Sequence, residues 1–135
     1  MKALAGFRVP EYNRRNMRLL IVDDSAIIRR ALSKLLAGFG PTEILEAEDG
    51  EVAMNIFRKS RPEWVTLDVT MPKMDGLSCL KEMLALAPET RVLLITALSG
   101  QTTALTALEL GARGVVIKPF TEAEVKESFA EAIAE

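Results

Sequence analysis

Four short apolar runs in this sequence each stop at a residue able to do chemistry. Leu19-Leu20-Ile21-Val22 stops at Asp23-Asp24, Trp64-Val65-Thr66-Leu67 at Asp68, Val92-Leu93-Leu94-Ile95 at Thr96, and Val115-Val116-Ile117 at Lys118. Three carboxylates brought together would repel, pushing at least one pKa upward, and a divalent cation removes that problem. Oxygen ligands favour Mg²⁺ or Mn²⁺ over zinc, and the chain contains no histidine at all. A carboxylate beside such a cation, with an ammonium and a hydroxyl nearby, is suited to attacking a phosphoryl group. The positive charges balance charge on the equatorial oxygens, and the hydroxyl donates a hydrogen bond.

Singly, each residue has a plainer use. Asp23-Asp24 can cap a helix, Asp68 ahead of Met71-Pro72 can form a turn, Thr96 is a strand-end hydroxyl and Lys118 an exposed tip. What decides between the readings is whether the elements that carry these residues bring them together.

The apolar runs read as strands buried on both faces, and Thr42 to Ala47 as a further strand nearer an edge. Between them lie five helical patterns. The first has Asp24 or Ser25 as N-cap, Ile28, Ala31, Leu32 and Leu35 on one face, and Arg29, Arg30 and Lys34 on the solvated one. The second starts at Asp49-Gly50, faces Ala53, Ile56 and Phe57 inward, and ends at Arg61-Pro62. Pro72 and Gly76 close the loop before the third, Leu77 to Leu86, with Leu77, Leu80, Met83 and Leu84 inward and Pro88 beyond. The fourth, Gln101 to Leu110, is weakly polar for a surface helix, so one side of it is expected to be a contact surface. Thr121 and Glu124 form a capping box for the fifth, whose Val125, Phe129, Ala132 and Ile133 face the sheet. Five strands alternating with five helices give a doubly wound parallel sheet. All strand carboxyl ends of such a sheet share one edge, so the four chemistry-bearing ends can meet in one crevice.

At 135 residues there is room for one full core, preceded by a mobile lead of residues 1–16 carrying Lys2, Arg8, Arg14 and Arg15. The formal charge of -2 gives no overall basicity that would point to nucleic acid or an anionic membrane. Cys79 is the sole cysteine, which rules out an intramolecular disulfide, and packing against a helix is its expected role. No apolar run is long enough for a membrane span or signal peptide, so a cytoplasmic location is expected.

Over residues 17–135 the sequence resembles the receiver domains of two-component response regulators. The matching pieces are Asp23-Asp24, Glu48-Asp49-Gly50, Asp68 with Met71-Pro72 and Met74-Asp75-Gly76, Thr96-Ala97, and Gly111-Ala112 leading to Lys118-Pro119-Phe120. The resemblance implies a flavodoxin-like, CheY-like (βα)5 fold with strand order 2-1-3-4-5. It implies that Asp68 accepts phosphate from a histidine kinase, and that Asp23, Asp24 and Asp68 hold Mg²⁺, or Mn²⁺, with the Thr70 carbonyl. Thr96, Lys118 and the Ala97 N–H would contact the phosphoryl group, and the Lys118-Pro119 bond would be cis. Thr70, Leu98, Ala104 and Val115 would tune or switch the domain, and a protein target would dock on helix four, strand five and helix five. A monomer working through proteins, without nucleic acid or membrane, is expected.

Within the family, Asp68-Val69-Thr70-Met71-Pro72 and Gly111-Ala112-Arg113-Gly114 look most like stand-alone, chemotaxis-type receivers. One departure is Val115, where many receivers carry Tyr or Phe. The alternatives are a phosphorelay intermediate and a receiver cut from a longer regulator with a DNA-binding or enzymatic output. An aspartate-dependent phosphohydrolase would want a second acid where Thr70 stands, and an FMN carrier would find its phosphate repelled by Asp23-Asp24.

Overall fold

The computed structural model describes residues 17–69, 75–97 and 101–134. The expectations for residues 1–16, Thr70, the Met71-Pro72 loop and Leu98 lie outside the described residues. In order, the elements are β1 (Arg18–Val22), α1 (Ala26–Leu36), a 3-10 turn (Ala37–Phe39), β2 (Glu43–Ala47), α2 (Gly50–Ser60), β3 (Trp64–Leu67), α3 (Gly76–Leu86), β4 (Arg91–Thr96), α4 (Gln101–Leu110), β5 (Gly114–Ile117) and α5 (Glu122–Ile133). The five strands form one parallel sheet in the order β2-β1-β3-β4-β5, as the family resemblance implies.

Alternation along the strands divides the core into two layers. Leu20, Val22, Val65, Leu67, Val92 and Leu94 face Phe57, Leu80, Met83 and Ala107 of α2, α3 and α4. Leu19, Ile21, Trp64, Leu93 and Ile95 face Leu32 and Leu36 of α1 and Val125 and Phe129 of α5. Trp64 and Phe39 each meet the Phe129 ring edge-on, at centroid distances of 5.6 and 5.0 Å. This two-sided burial holds the central strands rigidly enough to aim the residues at their ends.

Helix starts follow local capping. Ser25, rather than Asp24, caps α1, its hydroxyl accepting from the Ile28 N–H; Asp49 caps α2, Asp75 caps α3, and Thr121 caps α5 in a reciprocal box with Glu124.

Three expectations need correction. Ala31 is exposed and Leu36 takes its place in the core, because the buried stripe of α1 runs through Ile28, Leu32 and Leu36. Arg29 is not simply solvated: its Nε donates to Glu46 Oε1 at 2.9 Å and its Nη1 to the Asp23 carbonyl at 2.7 Å. Gly76 is the first residue of α3 rather than a loop residue.

Candidate functional site

Asp23, Asp68 and Lys118 each stand one step beyond a paired strand, Asp24 follows Asp23, and the sheet register brings them together. Val22 pairs with Leu67, so Asp23 and Asp68 follow side by side across the β1–β3 gap. The ladder continues through them: Asp23 N–H donates to the Ala47 carbonyl at 3.1 Å and Asp68 N–H to the Val22 carbonyl at 3.0 Å. Thr96 pairs with Ile117, and Lys118 N–H donates back to the Thr96 carbonyl at 2.8 Å. Chain order reverses between β1 and β3, the switch point where doubly wound sheets leave a crevice.

Asp23, Asp68 and Thr96 are buried, Asp24 is exposed, and Lys118 is half-buried. Lys118 Nζ spans two of the acids, 2.7 Å from Asp23 Oδ2 and 3.2 Å from Asp68 Oδ2. Asp23 Oδ1 accepts the Ser25 N–H at 2.9 Å, which couples the acid to the start of α1. Burial alone would lower the Lys118 pKa. The Asp23 hydrogen bond, with the charges of Asp23 and Asp68, outweighs it and holds the ammonium above its ordinary value.

One carboxylate oxygen from each of Asp23, Asp24 and Asp68 lies within 4.8 Å of the others. Among the described residues, one ammonium faces three carboxyl groups in this pocket. An all-oxygen donor set with one exposed member fits a hard divalent cation that retains water.

Ala97 is exposed and directly follows Thr96. Val115 is half-buried on β5 and packs on the α2–α3–α4 layer, and Ala104 is half-buried on α4. The Lys118-Pro119 peptide bond is cis.

Two residues shape the site in ways their sequence positions, a loop glycine and a solvated arginine, do not announce. A Cβ on Gly76 would come 2.3 Å from Val69 Cα and 2.5 Å from the Asp68 carbonyl oxygen, so only glycine lets α3 start against the end of β3. Arg29 clamps the Asp23 carbonyl to Glu46 of β2. Nothing local in the sequence separates Arg29 from Arg30; the signal lies in its distance from β2 in space.

The sheet order and the three carboxylates gathered at its carboxyl edge define a flavodoxin-like domain with an acid pocket at the β1–β3 switch point. Residues 19–130 match the model of the response regulator receiver domain, and the chain belongs to that family. It is 37% identical over 111 residues to protein CcdB of Bacillus subtilis and 35% identical to the chemotaxis protein CheY of that organism, in each case covering 82% of this chain and 92% of the relative. Among solved structures, that of the CheX-CheY-BeF3-Mg complex from Borrelia burgdorferi superposes with a TM-score of 0.84 at 31% identity, covering 93% of this chain and 96% of the other. The probable transcriptional regulator ycf27 of Porphyridium aerugineum is 38% identical, but the match spans 45% of its length. Among the described residues, no helix is long and apolar enough to cross a membrane.

Proposed function

We propose that this receiver domain accepts a phosphoryl group on Asp68 from a histidine kinase and thereby switches its binding to a protein partner. The observation that carries the reading is the bridge from Lys118 to Asp23 and Asp68 beside a third acid, Asp24. An Asp68 carboxylate oxygen forms the bond to phosphorus while the phosphorus–nitrogen bond of the donor histidine breaks, its electron pair leaving with the imidazole. Lys118 holds positive charge where the transferred oxygens arrive, and the Thr96 hydroxyl and Ala97 N–H donate to them. Asp23, Asp24 and Asp68, with the Thr70 carbonyl, are the residues that would hold Mg²⁺, which when bound offsets the charge gathered on the phosphoryl group.

The acyl phosphate is expected to be long-lived, because Leu98, two residues past Thr96, neither orients nor readily admits a water. The partner docks on α4, β5 and α5, where Leu105, Leu108 and Ile117 are exposed. Val115 is too small and too stiff at χ1 to swing between pockets, so the segment from Leu98 to Ala104 does most of the switching. A stand-alone, chemotaxis-type role in the cytoplasm is favoured by the match across 92% of the Bacillus subtilis CheY. The second reading, a receiver within a longer regulator, is favoured by the partial match to ycf27.

The test is intact mass after incubation with acetyl phosphate and Mg²⁺. One phosphoryl group is expected on the wild type, with none on Asp68→Asn and none in EDTA; labelling of Asp68→Asn equal to wild type would sink the assignment. Partner affinity with beryllofluoride, in wild type and Val115→Ala, tests the switch. If Val115→Ala keeps Asp68 reactive but loses the phosphate-dependent gain, Val115 carries the switch instead.

A further inference from the structure

We infer that the groove between β5 and α5 receives a cationic amphipathic segment of the partner protein, an inference that rests on the output surface proposed above. Among the described residues β5 is an edge strand, paired only with β4. Beside it runs a groove of about 360 Å³ bordered by Val115, Val116 and Ile117 of β5 and by Glu124, Glu127, Ser128 and Glu131 of α5. Ile117 is 38% exposed, and Leu105 and Leu108 of α4 are 60% and 46% exposed.

The rim is charged in one sense only. Glu124, Glu127 and Glu131 recur at intervals of three and four residues, which places them along one helical face. Glu124 serves the α5 cap, while Glu127 and Glu131 pair with no cation among the described residues. Of the nearby lysines, Lys118 turns into the acid pocket, and Lys126 lines the separate groove between α1 and α5, which Glu127 also borders. Like charges at this spacing repel, and a cation laid between them converts the repulsion into attraction.

A partner helix whose apolar stripe covers Val115 and Ile117, with Lys or Arg recurring every three or four residues along one flank, satisfies both walls. An anionic membrane surface or a nucleic acid backbone would be repelled by the same three carboxylates.

The probes are two synthetic amphipathic peptides with the same apolar face, one flanked by lysines and one by glutamates. Each is titrated into the full chain with Mg²⁺ and beryllofluoride, with amide chemical shifts recorded. The cationic peptide is expected to bind at least about tenfold tighter, the combined effect of a few exposed ion pairs. It should shift β5 and α5 amides and lose that advantage in Glu127→Lys with Glu131→Lys but not in Glu89→Lys. If both peptides shift β5 and α5 equally, the charge rule is overturned while the output surface stands. Shifts confined to α1, or to the Asp23 and Asp68 pocket, overturn both the charge rule and the assignment of this face. If replacing Lys2, Arg8, Arg14 and Arg15 by Gln raises cationic peptide affinity about tenfold, the chain's own lead is the occupant and the partner assignment falls.

Discussion

Lys118 at the end of β5 and Asp23 at the end of β1, 95 residues apart in sequence, are joined by an ion pair of 2.7 Å that crosses the carboxyl edge of the sheet. The same ammonium reaches Asp68 at 3.2 Å, so a single cation holds the two buried acids of the pocket. Removing one partner of a buried pair leaves a charge without compensation, which is more costly than the pair is worth.

Lys118→Met should therefore lose about 2 kcal/mol of stability in EDTA, below the 3–5 of a fully buried pair because the Lys118 side chain is 19% exposed. Millimolar Mg²⁺ should restore more stability to the variant than it adds to the wild type, since the ammonium no longer competes for the carboxylates. Urea unfolding with EDTA and with MgCl2 measures both. A variant as stable as wild type in EDTA would mean that Lys118 does not hold the acids.

Arg29 binds the Asp23 carbonyl and Glu46 together, with its side chain only 16% exposed. Arg29→Ala should cost about 1–2 kcal/mol, in the range of lost hydrogen bonds to a charged donor. It should also slow phosphoryl uptake from acetyl phosphate, because the strand end that carries Asp23 loses its side-chain tie to β2 and keeps only the backbone bond to Ala47. Arg30→Ala, an exposed neighbour, is the control and should change neither quantity.

Thr66 lies within β3, 1% exposed, and among the described residues its hydroxyl oxygen has no hydrogen-bond partner. An unsatisfied buried polar atom is costly, whereas an apolar group of the same shape is not. Thr66→Val should raise the unfolding free energy by about 1 kcal/mol with an unchanged urea slope. A loss of stability would show that the hydroxyl is satisfied.

Cys79, fully buried in α3, has its thiol pKa pushed from 9.0 to about 11, chiefly by burial and then by the charges of Asp75, Glu82 and Asp49. The folded pKa lies above the unfolded one, so the unfolded chain gives up its proton first. The associated stability is complete below pH 9.0 and is lost as pH rises toward about 11. Cys79→Ala should flatten the alkaline fall in stability across that window. Disulfide exchange with a chromogenic reagent near pH 8 should be at least about tenfold slower in the native protein than in urea.

Most of the fold was legible in the sequence because apolar periodicity and capping are local. The run from Trp64 to Asp68, the Thr121–Glu124 box and the stripe of Val125, Phe129, Ala132 and Ile133 each announce an element within a few residues. The site was legible for a related reason: in a parallel sheet every strand end falls on one edge, so acids and a lysine placed there need no further information to converge.

What only the tertiary structure decided concerns residues whose roles depend on neighbours distant in sequence. Arg29 and Arg30 carry the same side chain at adjacent positions, and only the approach of β2 makes one a clamp. Gly76 reads as a turn glycine until α3 is seen starting against Asp68 and Val69, where a single methyl group does not fit. The hydroxyl of Thr66 continues an apolar strand without interruption, and its lack of a partner follows only from what packs over it. The acid row on α5 is an ordinary solvated face by sequence, and becomes one wall of a groove because β5 ends the sheet beside it. Periodicity carries information along the chain, whereas contact, close approach and compensation of charge arise between segments and exist only once those segments are packed.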